Sequence, residues 1–230
     1  MILSRLRRPA HLVAALLLVL GCAALKLPDP DKDRQVRRLQ ARASYEQGLR
    51  HLNEGRVSLG LGALRQAIEL DPDEAVLHNA LGVARLQLGE AREAQADFER
   101  AVAVDPTYSE GYHNLGLALF EQKRYEEAVG AYRKALTQPI YATPELAYYN
   151  LAQVYLYHLG RRREAEEALR AAVKLAPRFA RAYYELGVLL NLEGRKDEAR
   201  RAFVTARDLE PDSPVGRAAD QALRTLGGGG

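Results

Sequence analysis

The stretch YHNLGLALFEQKRYEEAVGAYRKA, residues 112–135, decides the fold. Its apolar residues recur every three to four positions, which is the period of a helix with one buried face. The first half places Tyr112, Leu115 and Gly116 on one face, and the second places Ala128, Tyr132 and Ala135 on another. Two helices that meet at Gly116 and Ala128 can approach closely, because a larger side chain at either position would force them apart. Tyr132 then fills the space towards whatever follows. The stretch is one helical hairpin with too little apolar surface to be stable alone.

The same pattern returns along the chain. His78, Leu81 and Gly82 lead to Ala94, Phe98, Ala101 and a closing Pro106. Tyr148, Leu151 and Ala152 lead to Ala165, Leu169, Ala172 and Pro177, and Tyr183, Leu186 and Gly187 to Ala199, Phe203, Ala206 and Pro211. A degenerate first copy holds Ser44, Gly48, Gly60, Leu64, Ala67 and Pro72. Each Pro stops a helix, since it lacks the N–H and clashes with the turn before it. The small residues step by 34 from Gly48 to Gly82, 34 to Gly116, 36 to Ala152 and 35 to Gly187, so two junctions are irregular.

These copies resemble the tetratricopeptide repeat (TPR), which implies an all-α solenoid: a right-handed superhelix of about five antiparallel helix pairs. The repeats are placed at 41–74, 75–108, 109–144, 145–179 and 180–212, within a domain spanning 36–226. A capping helix is expected at 214–226, with Arg217, Asp220, Gln221 and Arg224 on its polar side. Residues 227–230 form a Gly tail without structure.

Ahead of the repeats, Arg5, Arg7 and Arg8 precede an apolar run from Leu12 to Leu20 and then Gly21-Cys22. Nine apolar residues make a helix of about 14 Å, half the hydrocarbon thickness, so residues 1–21 read as a signal peptide and not a span. Val19-Leu20-Gly21-Cys22 resembles the bacterial lipobox, which implies that Cys22, the only cysteine, is lipidated. Residues 22–35 read as a lipidated flexible tether, and Ala23 after the cysteine resembles the outer-membrane sorting pattern. The chain carries 33 basic and 30 acidic residues. Removing the three signal-peptide arginines balances them, and a chain without net charge gives no electrostatic case for nucleic acid.

No set of residues for catalysis emerges. His51, His78, His113 and His158 are not paired at i+3 or i+4 and have no cysteine cluster, so neither metal nor cofactor is expected. The glycines fall at packing positions, and no phosphate loop or nucleophile elbow is present. Glu126-Glu127 and Glu166-Glu167 sit at helix starts or on exposed faces, where carboxylates suit the helix dipole. The expectation is a binding protein and not an enzyme.

In TPR solenoids the A helices line the concave face, which implies a partner groove here from Asn79, Val83 and Leu86 through His113, Leu117 and Phe120. It continues with Tyr149, Gln153 and Leu156, then Tyr184 and Val188. The groove is largely apolar and aromatic, a composition that suits a protein partner or packing within the superhelix. The carboxylate clamp of chaperone-binding repeats is absent, since Asn79, Val83, Asn114, Leu146 and Asn150 stand where it needs cations.

The longer junction reads Leu136-x2-Pro139-x-Tyr141-x2-Pro144-x2-Ala147, with Thr143 as a candidate N-cap and Asn150 beyond it. Together with Asn114-Leu115-Gly116 and Arg124 to Ala128, this resembles the type IV pilus biogenesis lipoproteins of the PilF, PilW and Tgl family over roughly residues 40–212. Members of that family often carry a cysteine where this chain has Phe120. The resemblance implies a pilotin that binds the pilus secretin and promotes its assembly, as a monomer lipid-anchored on the periplasmic face of the outer membrane. The alternative is a lipoprotein scaffold for peptidoglycan hydrolases or other envelope machinery.

Overall fold

A computed structural model describes residues 30–227, and their regular structure is entirely helical. Five hairpins follow in order: α1 (Pro30–Asn53) with α2 (Val57–Leu70), α3 (Ala75–Gln87) with α4 (Ala91–Val104), and α5 (Ser109–Glu121) with α6 (Tyr125–Leu136). Next come α7 (Pro144–Gln153), prolonged by a π-helical turn Val154–His158, with α8 (Arg162–Leu175), and α9 (Ala180–Leu192) with α10 (Lys196–Leu209). The cap α11 (Pro214–Gly227) packs on α10. Pro72, Pro106, Pro177 and Pro211 each stand two residues beyond the end of a B helix.

Each hairpin closes on a small-to-large contact across its two helices. A Cβ on Gly82 would lie 2.6 Å from Phe98, one on Gly116 2.5 Å from Tyr132, and one on Gly187 2.7 Å from Phe203. In the fourth hairpin the A helix carries Ala152 and its partner is the smaller Leu169, both almost fully buried. The chain thus exchanges one methyl group on helix A for ring volume on helix B. Phe98, Tyr132, Leu169 and Phe203 are the fillers, and a continuous apolar core runs from the third hairpin to the cap. The first two hairpins hold smaller, separate clusters.

The spacing anomalies have structural addresses. A left-handed residue ends each A helix: Gly55, Gly89, Lys123, Gly160 and Gly194, with φ of 74°, 79°, 61°, 66° and 77°. It follows the packing glycine by seven residues in Gly48–Gly55, Gly82–Gly89, Gly116–Lys123 and Gly187–Gly194, but follows Ala152 by eight. The additional residue is housed in the π-helical turn Val154–His158, where a wider turn accommodates one insertion without leaving the helix. Accordingly Arg161 N–H reaches back six residues to Tyr155 O (2.8 Å), whereas Arg124 N–H reaches five, to Leu119 O (2.9 Å). Ala101 to Gly116 and Ala172 to Gly187 span 15 residues, and Ala135 to Ala152 spans 17. Those two extra residues lie in the connector 137–143.

Two sequence expectations change. The tether was expected to reach residue 35, but α1 begins at Pro30, so residues 30–35 are helical. Pro at a first helical position and Asp31 and Asp33 in the first turn suit a helix start, a signal hidden by the lack of an apolar period. The cap extends to Gly227, so that residue is helical and not tail. The expected signal peptide, Cys22 and the glycines 228–230 lie outside the described residues. Among the described residues no helix is long and apolar enough to cross a membrane.

Candidate functional site

The irregular connector is tied down by polar contacts to the preceding hairpin. Pro144 starts α7, and the chain before it turns back so that Ser109 Oγ–H donates to the Ile140 carbonyl at 2.5 Å, leaving the Ile140 side chain 83% exposed. Tyr141 reaches across to His113, and its hydroxyl meets His113 Nδ1. On the other side of the ring, Asn150 Nδ2 approaches His113 Nε2 at 3.3 Å. With that amide donating, Nε2 accepts, so the ring carries its proton on Nδ1 and donates to Tyr141.

His113 is 9% exposed and packs edge-on against Tyr132 and Tyr141 at centroid separations of 5.6 and 6.1 Å. Burial lowers its pKa from 6.5 to about 4, only partly offset by Glu110, so the ring is neutral at physiological pH. Burial likewise raises the Tyr141 hydroxyl, against a hydrogen bond from Thr143. Thr143 occupies the N-cap position of α7, but its side chain makes no cap hydrogen bond and serves Tyr141 instead. His113, Tyr141 and Asn150 therefore form one bridge from α5 through the connector to α7, with Pro139 exposed at its edge.

This corrects His113 as a groove residue, because its ring is enclosed and both its nitrogens are engaged. The polar bridge has a counterpart one repeat earlier, where Asn114 Nδ2 donates to Asn79 Oδ1 at 2.8 Å. The remaining groove residues are half-buried. Val83 and Leu86 lean on the Ala94–Phe98–Ala118 cluster, and Leu117, Phe120, Tyr149, Leu156, Tyr184 and Val188 lean on the main core. Phe120 meets Tyr125 and His158 edge-on at 5.7 and 5.2 Å, and His158 stacks on Tyr125 at 4.1 Å. Gln153 has its amide nitrogen buried without a partner.

Two hollows open between these side chains. One of about 270 Å³ lies between α1 and α3, where Tyr45, Leu49, Leu52 and Tyr108 join Val76, Asn79 and Val83. The other, also about 270 Å³, lies between Tyr149, Tyr184, Arg181 and the start of α11. Tyr157, to which the repeat pattern does not point, is 51% exposed and donates its hydroxyl to Glu185. The π turn shifts the register by one residue, and the 35-residue step from Ala152 to Gly187 was its only trace in the sequence. Outside the groove, ion pairs link neighbouring hairpins, as in Arg161–Glu126 and Arg195–Glu166 at 2.7 and 2.8 Å. Among the described residues no group of His, Cys, Asp and Glu is arranged to hold a metal ion.

The tetratricopeptide repeat family matches residues 45–91, 79–147 and 149–214. The type IV pilus assembly protein PilF of Pseudomonas aeruginosa is 30% identical over 184 residues, covering 80% of this chain and 72% of PilF. A solved structure from a functional characterisation of Pseudomonas aeruginosa PilF superposes with a TM-score of 0.69 at 25% identity, over 84% of this chain and 95% of that one. PilW, a widely conserved type IV pilus biogenesis factor, shares the fold with a TM-score of 0.69 at 20% identity, over 81% and 90% of the two chains. The chain therefore belongs to the tetratricopeptide repeat family and, within it, to the family of the type IV pilus assembly protein PilF.

Proposed function

We propose that this protein is a pilotin: it binds the secretin subunit of a type IV pilus machine and promotes its assembly in the outer membrane. The relationship to PilF over 184 residues carries the reading. The half-buried apolar and aromatic side chains on successive A helices support it, since such surfaces suit a protein segment better than a small polar substrate. The groove from Asn79 to Val188 receives that segment, with Tyr149, Tyr184 and Val83 beside its two hollows as the contacts of greatest effect. The junction of Pro139, Tyr141, Pro144 and Asn150 holds the third and fourth hairpins in register. Cys22 carries the lipid that places the chain, as a monomer, on the periplasmic face of the outer membrane. The role is binding without catalysis, and it needs no cofactor.

Deleting the gene tests the proposal. The secretin should remain monomeric on gels and surface pili should be lost, with both restored by the intact gene. Normal secretin multimers in the deletion strain would overturn it.

A further inference from the structure

The first A helix is longer than its siblings. α3, α5 and α9 each begin seven residues before their packing glycine, at Ala75, Ser109 and Ala180. By that alignment α1 would begin at Ala41, yet it begins at Pro30, eleven residues earlier, an arm of about 16 Å. Residues 31–40 are all exposed.

The arm has an inverted polarity. The buried stripe Ala41, Ser44 and Gly48 continues upstream in steps of four and three to Arg37 and Arg34. These two and Arg38 line an open cleft with Glu69, Asp71 and Asp73 at the end of α2, and Arg38 approaches Asp71 at 3.6 Å. These three arginines therefore face the solenoid, along a cleft that they share with three acids. Val36 and Leu39, three residues apart, lie off that stripe and are 51% and 63% exposed. A solvated arm would place its charges outward and its apolar residues inward.

We propose that the outer side of this arm lies on the bilayer, with Val36 and Leu39 in the headgroup–acyl boundary. The length of chain ahead of the arm selects that occupant. Cys22 is eight Cα steps from Pro30, at most about 28 Å, so a lipid on Cys22 confines the arm to the neighbourhood of the membrane. A tether that short supplies a high local concentration of bilayer, and two apolar side chains suffice for a contact too weak to hold a free protein. Val36 and Leu39 supply the contact, while Arg34, Arg37 and Arg38 lie on the other side of the arm, along the cleft with Glu69, Asp71 and Asp73. The contact holds the first hairpin down and fixes the orientation of the solenoid above the membrane.

The inference rests on lipidation of Cys22 and is independent of secretin binding. The chain from Cys22 onward can be coupled through that single thiol to a maleimide lipid in vesicles of phosphatidylethanolamine and phosphatidylglycerol. The sequence has no tryptophan, so Val36→Trp reports alone, with Leu192→Trp, exposed on α9, as control. With acyl chains brominated near the headgroup, Val36→Trp emission should fall about twofold and the Leu192→Trp emission should not. The quenching should persist in about 1 M NaCl, where electrostatic contacts are screened, and should diminish when Leu39→Asp is added. Equal quenching at the two positions, or loss of quenching in salt, would overturn the proposal. Palmitate labelling of Cys22 in cells reads the lipidation separately.

Discussion

Gly116→Ala adds a single methyl group where the third hairpin has no room for it. Its Cβ would lie 2.5 and 2.6 Å from Cε1 and Cδ1 of Tyr132, about 1 Å inside ordinary carbon contact. Tyr132 is 1% exposed and wedged against His113, so the ring has nowhere to retreat and the helices must separate. Overpacking of this kind costs about 3 kcal/mol, against a gain of about 1 kcal/mol in helix propensity. The net loss of about 2 kcal/mol corresponds to a fall of about 4–8 °C in Tm for a domain of this size. Gly130→Ala, on the same hairpin, is the internal control, since a Cβ there meets nothing within 4 Å. It should gain only the propensity, raising Tm by about 2–4 °C. The pair Gly116→Ala with Tyr132→Leu recreates Ala152 with Leu169 and should recover part of the loss. Thermal unfolding of the lipid-free chain, followed by far-ultraviolet circular dichroism, reads all three. A Tm for Gly116→Ala at or above that of the parent would refute the exchange of methyl for ring volume as the rule of this stack.

Acid should loosen the junction. His113 titrates near 4 when folded and 6.5 when free, so the unfolded chain binds the extra proton between those values. Its stabilising contribution is complete above pH 6.5, falls as the pH drops towards 4, and totals about 3 kcal/mol; urea titrations across that range should lose this dependence in His113→Gln. Tyr141→Phe removes the hydroxyl that His113 meets and should cost about 1–2 kcal/mol in the same assay. Lys123 occupies a left-handed position that is glycine in the other four hairpins, so Lys123→Gly should stabilise by about 0.5–1 kcal/mol, measured as a higher urea midpoint.

The repeat pattern carried the fold because packing glycines, alanines and closing prolines are strict geometric demands that leave a period in the sequence. Gly82, Gly116 and Gly187 could be read directly, and so could the two odd spacings. Where the extra residues went could not. An insertion absorbed as a π turn prolonging α7 keeps every helical signal, and the lengthened hydrogen bonds from Leu159 to Val154 and from Arg161 to Tyr155 reveal it. For that reason Tyr157 is exposed beside Leu156, which leans on the core. His113 is enclosed for a different reason: position on a helix face identifies a direction, while the connector that covers it arrives from 28 residues away at Tyr141. The arm of α1 was hidden because its residues follow no apolar period, and composition alone made it a tether.

The most direct test of the central claim is the affinity of the purified, lipid-free chain for the pilus secretin of the same organism, measured by titration calorimetry. A complex with a Kd in the micromolar range or tighter is expected, weakened at least about tenfold by Val83→Asp with Tyr184→Ala, both in the proposed groove. No detectable binding, or binding indifferent to those substitutions, would contradict the claim.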